Sequence, residues 1–241
     1  MGLFGKKAPA EKTDEVQLKR KAQDNFVQLK RKVDFAVKMA NLEGQRARVA
    51  LVLDISGSMR EMFKKGTVQR VCERLLALGV KFDDNGAVDI FLFGEDDYSA
   101  GELTESNFFG FVDEEIVKNY RFESATKYAG VMNRIVKKYT SEKGDPAYVL
   151  FVTDGDNSDK PQAEKAIVAA SKYAIFWQFV GIGSGKFEFL AGLDTMSGRF
   201  LDNANFFALN DIDSISDEEL YQRMLVEFPS WLKAAKEKGI Y

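Results

Sequence analysis

Apolar positions along the 241 residues follow two regimes. Up to Gly44 they recur at helical spacing: Phe26, Leu29, Val33, Val37 and Ala40 form a stripe at i, i+3 and i+4 in a stretch otherwise dominated by charge. The pattern predicts one long helix over 14–43, ended near Gly44, after a disordered lead at 1–13. Within that helix Val16-Gln17-Leu18-Lys19-Arg20-Lys21 returns eleven residues later as Val27-Gln28-Leu29-Lys30-Arg31-Lys32. Eleven residues make close to three turns, so both copies face nearly the same way and their Lys-Arg-Lys triplets line one basic side. Three roles stay open for it: docking on the domain with the basic side solvated, which is favoured, contact with a partner helix, or contact with an anionic membrane.

From Arg48 onward the period changes. Unbroken apolar runs at 49–53, 88–93, 148–152 and 175–180 read as strands buried on both faces, separated by helical patterns at 67–78, 126–138 and 162–173. A last strand is predicted at 204–209 and a closing helix at 217–238. Strands alternating with helices imply an α/β domain over 46–241: a doubly wound, mostly parallel sheet flanked by helices, carrying an N-terminal helical extension. Cys72, Trp177, Phe206, Phe207 and Trp231 read as packing residues. Residues 95–120 show no clear period; Glu95-Asp96-Asp97 reads as a solvated loop, and Phe108-Phe109-Gly110-Phe111 fits either core or an exposed contact.

Composition narrows the chemistry. With no histidine, the usual general base at neutral pH, Ser-His and Cys-His nucleophile pairs and His-containing zinc sites are excluded. A single cysteine excludes an intrachain disulfide. A net charge of −3 gives no reason to expect a nucleic-acid partner. The start lacks the apolar core of a signal peptide and no run of about 18 apolar residues follows, so a cytoplasmic protein is expected. Gly2 is a poor myristoylation acceptor, because Lys6 stands where that motif has Ser or Thr.

Oxygen donors are concentrated at predicted strand ends, where ligands collect in doubly wound sheets. The run 49–53 leads into Asp54-Ile55-Ser56-Gly57-Ser58, which offers a carboxylate and two hydroxyls at alternate positions, with Gly57 expected to let the backbone turn tightly. The run 148–152 leads into Thr153-Asp154-Gly155, and Glu123-Ser124-Ala125-Thr126 lies between the two at a predicted helix start. Such a set suits a hard cation.

Asp54-x-Ser56-x-Ser58, Thr126 and the Thr-Asp-Gly that contains Asp154 resemble the metal-ion-dependent adhesion site of von Willebrand factor A domains, over residues 46 to about 235. The resemblance implies that Ser56, Ser58 and Thr126 ligate one divalent cation directly, while Asp54 and Asp154 act mainly through water. A cation held mostly by neutral oxygens stays short of negative charge, which implies a protein partner offering an Asp or Glu carboxylate. Few direct carboxylates favour Mg²⁺ over Ca²⁺, and Mn²⁺ can replace either. The basic helix, Leu42-Glu43-Gly44 and Phe91-Leu92-Phe93-Gly94 look most like bacterial A domains of tellurite- and stress-resistance clusters. One departure is Ser124-Ala125, where many members have two glycines.

Other motifs weaken on inspection. Gly181-Ile182-Gly183-Ser184-Gly185-Lys186 follows a strand, but Phe187 stands where a P-loop needs Ser or Thr, so a tight turn is expected. Asp154-Gly155-Asp156-Asn157-Ser158-Asp159 begins like a calcium loop, yet Asp159 replaces the required Gly and Lys165 the required Glu; Asp156 stays a candidate outer acid. The competing enzyme reading has Asp54 attack a phosphoryl group beside Mg²⁺, and is weakened by Ser56 standing where an acid-base carboxylate would be needed.

Overall fold

A computed structural model of the protein describes residues 9–241 apart from 84, 142 and 143. Six strands form one sheet: β1 (Arg48–Asp54), β2 (Ala87–Phe93), β3 (Asp97–Thr104), β4 (Ala147–Thr153), β5 (Ile175–Ile182) and β6 (Ala204–Leu209), in the order β3-β2-β1-β4-β5-β6. Only the β2–β3 pair is antiparallel. The four unbroken runs each extend by a residue or two beyond the sequence expectation, and β6 matches it.

Alternate strand residues feed two apolar layers, as the period of two requires. Leu51, Leu53, Val88, Ile90 and Leu150 face α3 (Thr67–Phe82), α7 (Asp217–Leu225) and α8 (Phe228–Glu237). Ala50, Val52, Phe91, Val149, Phe151 and Trp177 face α4 (Ala129–Thr140) and α5 (Lys160–Ala170). A five-residue α2 (Arg60–Lys64) and a four-residue α6 (Glu188–Ala191) are too short to show a period in sequence. The expected single closing helix is two helices: Pro229, which cannot donate to a preceding turn, sits in the first turn of α8.

The N-terminal helix α1 (Pro9–Met39) lies against α3 and α7. Part of the lead expected at 1–13 falls outside the described residues, but the chain is helical from Pro9, so the boundary expected at 14 is too late. Proline is tolerated in a first turn, and Ala10, Glu11 and Lys12 are good helix formers. The helix also stops earlier than Gly44. Asn41 adopts φ 55°, and the amides of Asn41 and Leu42 donate to Lys38 O and Val37 O, closing a Schellman cap in which asparagine takes the usual place of glycine. The expected stripe is the docked face: Phe26, Leu29, Val33 and Val37 are buried, and Phe26 stacks on Phe108 at 5.0 Å. Phe108 and Phe111 are thus core; of the expected solvated loop, Glu95 and Asp96 are exposed, but Asp97 is the half-buried first residue of β3, where it pairs with Arg134.

Candidate metal centre

Neighbouring strands leave β1 and β4 on opposite sides, so the crevice beyond their carboxyl ends is the switch point of the sheet. Asp54 closes β1 with its side chain fully buried. Its Oδ1 accepts the Ser56 amide at 2.7 Å and its Oδ2 the Thr153 hydroxyl at 2.7 Å, which ties the first loop to the end of β4. Ser56 Oγ lies 3.1 Å from Ser58 Oγ, and Ser58 Oγ donates to Asp154 Oδ1 at 2.9 Å. Four of the five expected residues are therefore joined in one hydrogen-bonded chain. Gly57 differs from expectation: it lies in a 3₁₀ turn without positive φ, and a Cβ there would meet only Glu123 O at 3.6 Å. The turn is made by backbone pairing, not by glycine's extra freedom.

Thr126 reaches the group differently. It lies in an extended loop, because α4 starts at Ala129 and not at Thr126. Its carbonyl accepts both the amide and the hydroxyl of Ser158, at 2.8 and 3.0 Å, and its own hydroxyl has no hydrogen-bond partner among the described residues. The later start of α4 has a physical cause in the third loop. Asp159 immediately precedes α5 but does not cap it with its side chain; its two carboxylate oxygens accept the amides of Tyr128 and Ala129 at 2.9 Å each and so cap α4. Tyr128 returns a bond from its hydroxyl to Gly155 O at 2.6 Å.

Two more residues hold the loops in place. Glu123 pairs its backbone with Ile55 and Gly57, and its carboxylate accepts the Asp96 amide at 2.9 Å and the Tyr98 hydroxyl at 2.5 Å. A Cβ on Gly185 would stand 2.0 Å from Asp154 O, so glycine is required where the loop after β5 crosses the metal loop. That close crossing, not phosphate binding, accounts for Gly185. Asp156 turns away from the role of outer acid: Lys160 Nζ lies 2.7 Å from its Oδ2, and its Oδ1 accepts the Phe189 amide.

Burial pushes the Asp54 carboxyl up to about 6, against the hydrogen bonds from Ser56 and Thr153 that favour its charged form, and the nearby Asp154 adds to the rise. Burial raises Asp154 as well, opposed by the Ser58 hydroxyl. Two carboxylates that resist ionisation side by side, together with three hydroxyl oxygens and no nitrogen or sulfur donor, fit a hard divalent cation. Among the described residues no group of three or more His, Cys, Asp or Glu is placed to hold a metal, so hydroxyls must supply part of any coordination.

The family model for von Willebrand A domains found at the C terminus of TerF matches residues 46–241. The chain belongs to this vWA-TerF-like family. Among relatives of the family member, the uncharacterized protein YcbR of Bacillus subtilis (strain 168) is 45% identical over 215 residues, covering 88% of each chain. Of solved structures, BatB from Bacteroides thetaiotaomicron superposes with a TM-score of 0.51 at 17% identity, over 76% of this chain and 98% of its own. Proximal thread matrix protein 1 of the mussel byssus gives 0.53 at 14% identity, over 78% of this chain and 48% of its own. At such identities these two structures show a shared fold alone, and this chain spans less than half of the mussel protein's.

Glu123 and Thr153 stand in the stretches that the sequence singled out as oxygen donors, but their part in tying the loops together was not legible, and the roles of Ser158 and Asp159 were missed. Glu123 left its signal as the start of the Glu123–Thr126 stretch and Thr153 as the first residue of Thr-Asp-Gly; the reach of Asp159 to another helix leaves none.

Proposed function

We propose that this vWA-TerF-like chain is a non-catalytic, divalent-metal-dependent protein-binding module of a bacterial tellurite- or stress-resistance system. The observation that carries the reading is the convergence of Ser56, Ser58 and Asp154 through hydrogen bonds of 3.1 and 2.9 Å, with Asp54 buried behind them. Ser56, Ser58 and Thr126 would hold the ion, Mg²⁺ by preference and Ca²⁺ or Mn²⁺ as substitutes, with Asp54 and Asp154 acting through water. When bound, the ion supplies a Lewis-acidic position for an Asp or Glu carboxylate of the partner. The chain's own part is to hold these oxygens rigidly: Asp54 orients Ser56, Ser158 and Asp159 fix the Thr126 loop, and Gly185 lets the fourth loop close against Asp154.

Burial of Asp54 weighs against the phosphoryl-transfer alternative. A carboxylate with no exposed surface, engaged by Ser56 and Thr153, has no line of attack on a substrate in solvent. No described helix is long and apolar enough to cross a membrane, and the apolar stripe of α1 is used against the domain, which favours a protein partner over a membrane surface. We place the protein in the cytoplasm and expect no nucleic-acid partner, on the sequence grounds given above.

Affinity capture from the native cell, with Mg²⁺ or with chelator, tests the reading. A partner retained by the wild type with Mg²⁺, and lost both with chelator and with Thr126→Ala, is expected. Retention by Thr126→Ala together with loss on neutralising the triplets at 19–21 and 30–32 would make α1, not the metal edge, the binding surface.

A further inference from the structure

Immediately after Ser58 the chain enters α2, whose first residue, Arg60, holds its guanidinium carbon 4.8 Å from the centre of the Phe122 ring. Phe122 in turn meets Phe63 edge-on at 5.1 Å. Arg60 has no acidic partner among the described residues, and neither has Lys64, one turn later on the same side of α2. Elsewhere on this rim Lys127 pairs with Glu95 and Lys160 with Asp156. Beside the two free cations lies an open groove of about 450 Å³ with an apolar floor of Phe63 and Phe122 and a wall that includes Val117, which is 42% exposed. Val112 and Asp113 line the groove too, and the Val112 amide bonds to Gln69.

A planar cation stacked on an aromatic ring is pre-oriented for bidentate contact with a carboxylate and loses little freedom on binding. Arg60 is two peptide units from Ser58, so their Cα atoms are at most about 7 Å apart. Phe122 adjoins Glu123, whose backbone is bonded to Ile55 and Gly57 of the metal loop. The groove therefore lies beside the candidate metal centre, with the Arg60 cation among the lining residues nearest to it in the chain.

We propose that this surface recognises a diacidic, apolar segment of the partner protein: one carboxylate directed to the metal centre, a second held by Arg60, and an apolar side chain beyond it in the groove over Phe63 and Phe122. In an extended segment the two acids stand about two or three residues apart. The inference rests on the metal-dependent reading of the same edge and adds the sequence character of what binds there.

The test is selection from a library of short displayed peptides with one fixed Asp and all other positions random, panned on the full chain with Mg²⁺ and eluted with chelator. Peptides enriched on the wild type should carry a second acid at constant spacing and an apolar residue beyond it. On Arg60→Gln, which changes an exposed side chain, chelator elution should persist while the second-acid preference disappears. The selected peptide, made synthetically, should bind that variant about tenfold more weakly or worse. Chelator-eluted peptides with no second acid, or with the same preference on Arg60→Gln, would overturn this surface and leave the metal reading standing. Recovery of no chelator-eluted peptide from the wild type would overturn both.

Discussion

Val33 and Val37 of α1 are each 1% exposed and lie among apolar side chains of the domain, whereas Asp54 and Asp154, at the far ends of β1 and β4, are carboxylates that burial keeps from ionising freely. The α1 seam is complete in itself: its apolar stripe is covered and Lys32 closes its edge on Asp217 at 2.8 Å. The edge at Asp54 and Asp154 is well built but electrostatically strained, since its hydrogen bonds hold together two carboxylates that burial keeps from ionising freely, a strain the proposed cation would relieve. Within one chain, then, the seam serves stability under all conditions, whereas the edge costs stability that the proposed ion would restore.

Breaking the seam should give the largest effect. Val33→Asp buries a charge with no partner and should lower unfolding stability by about 3 kcal/mol or more, equally with Mg²⁺ and with chelator, as read by urea denaturation. A loss that appears only with Mg²⁺ present would mean that α1 and the metal edge are one cooperative device.

The next effect belongs to the edge and has the opposite character. In chelator, the folded chain holds a proton on Asp54 up to about pH 6, while the unfolded chain releases it near its ordinary value of 3.8. The folded state thus binds more protons between those values, and stability should fall as pH rises through that window, by about 2–3 kcal/mol in total. Asp54→Asn should lack this fall, so the difference between the two proteins isolates it from other titrating acids. A wild type that gains stability relative to Asp54→Asn across the window would show that the Asp54 charge is already compensated.

A smaller effect separates positioning from coordination. Asp159→Ala removes the cap from α4 and should cost about 1 kcal/mol in chelator. It should also weaken Mg²⁺ binding by calorimetry, because Thr126 loses its fixed loop. An unchanged affinity would remove Thr126 from the site.

Smallest of all is a comparison inside the repeat. Leu18 is 58% exposed and Leu29 only 8%, although the two occupy the same place in identical hexapeptides. Lys32→Ala should cost about 0.5 kcal/mol through its half-exposed pair with Asp217, and Lys21→Ala nothing measurable. Since Lys32 and Arg74 hold the Asp217 carboxyl below the ordinary carboxylate range, that contribution is present above pH 3.8 and fades as pH falls further.

What could be read in advance follows from what leaves a period. Unbroken apolar runs marked four strands and a shorter aromatic run a fifth, and the stripe of α1 showed its docked face before any contact was known. β3 was invisible because it is an edge strand with Leu103 as its single buried residue, and edges do not alternate cleanly. Asp54, Ser56, Ser58 and Asp154 were legible because they directly follow legible strands. Thr126 was found by resemblance, but its loop was taken for helix, since the group that ends the loop is Asp159, thirty-odd residues away in sequence. Sequence patterns carry local periodicity; they do not carry a carboxylate that caps another element's helix.

The central claim is that one divalent ion completes the edge formed by Asp54, Ser56, Ser58, Thr126 and Asp154. Thermal unfolding of the wild type and of the double variant Asp54→Ala, Ser56→Ala, each in chelator and in excess Mg²⁺, tests it most directly. At about a hundred times the dissociation constant, Mg²⁺ should add about 2.7 kcal/mol to the wild type and nothing to the variant. No rise in the wild type, or an equal rise in both proteins, would contradict the account.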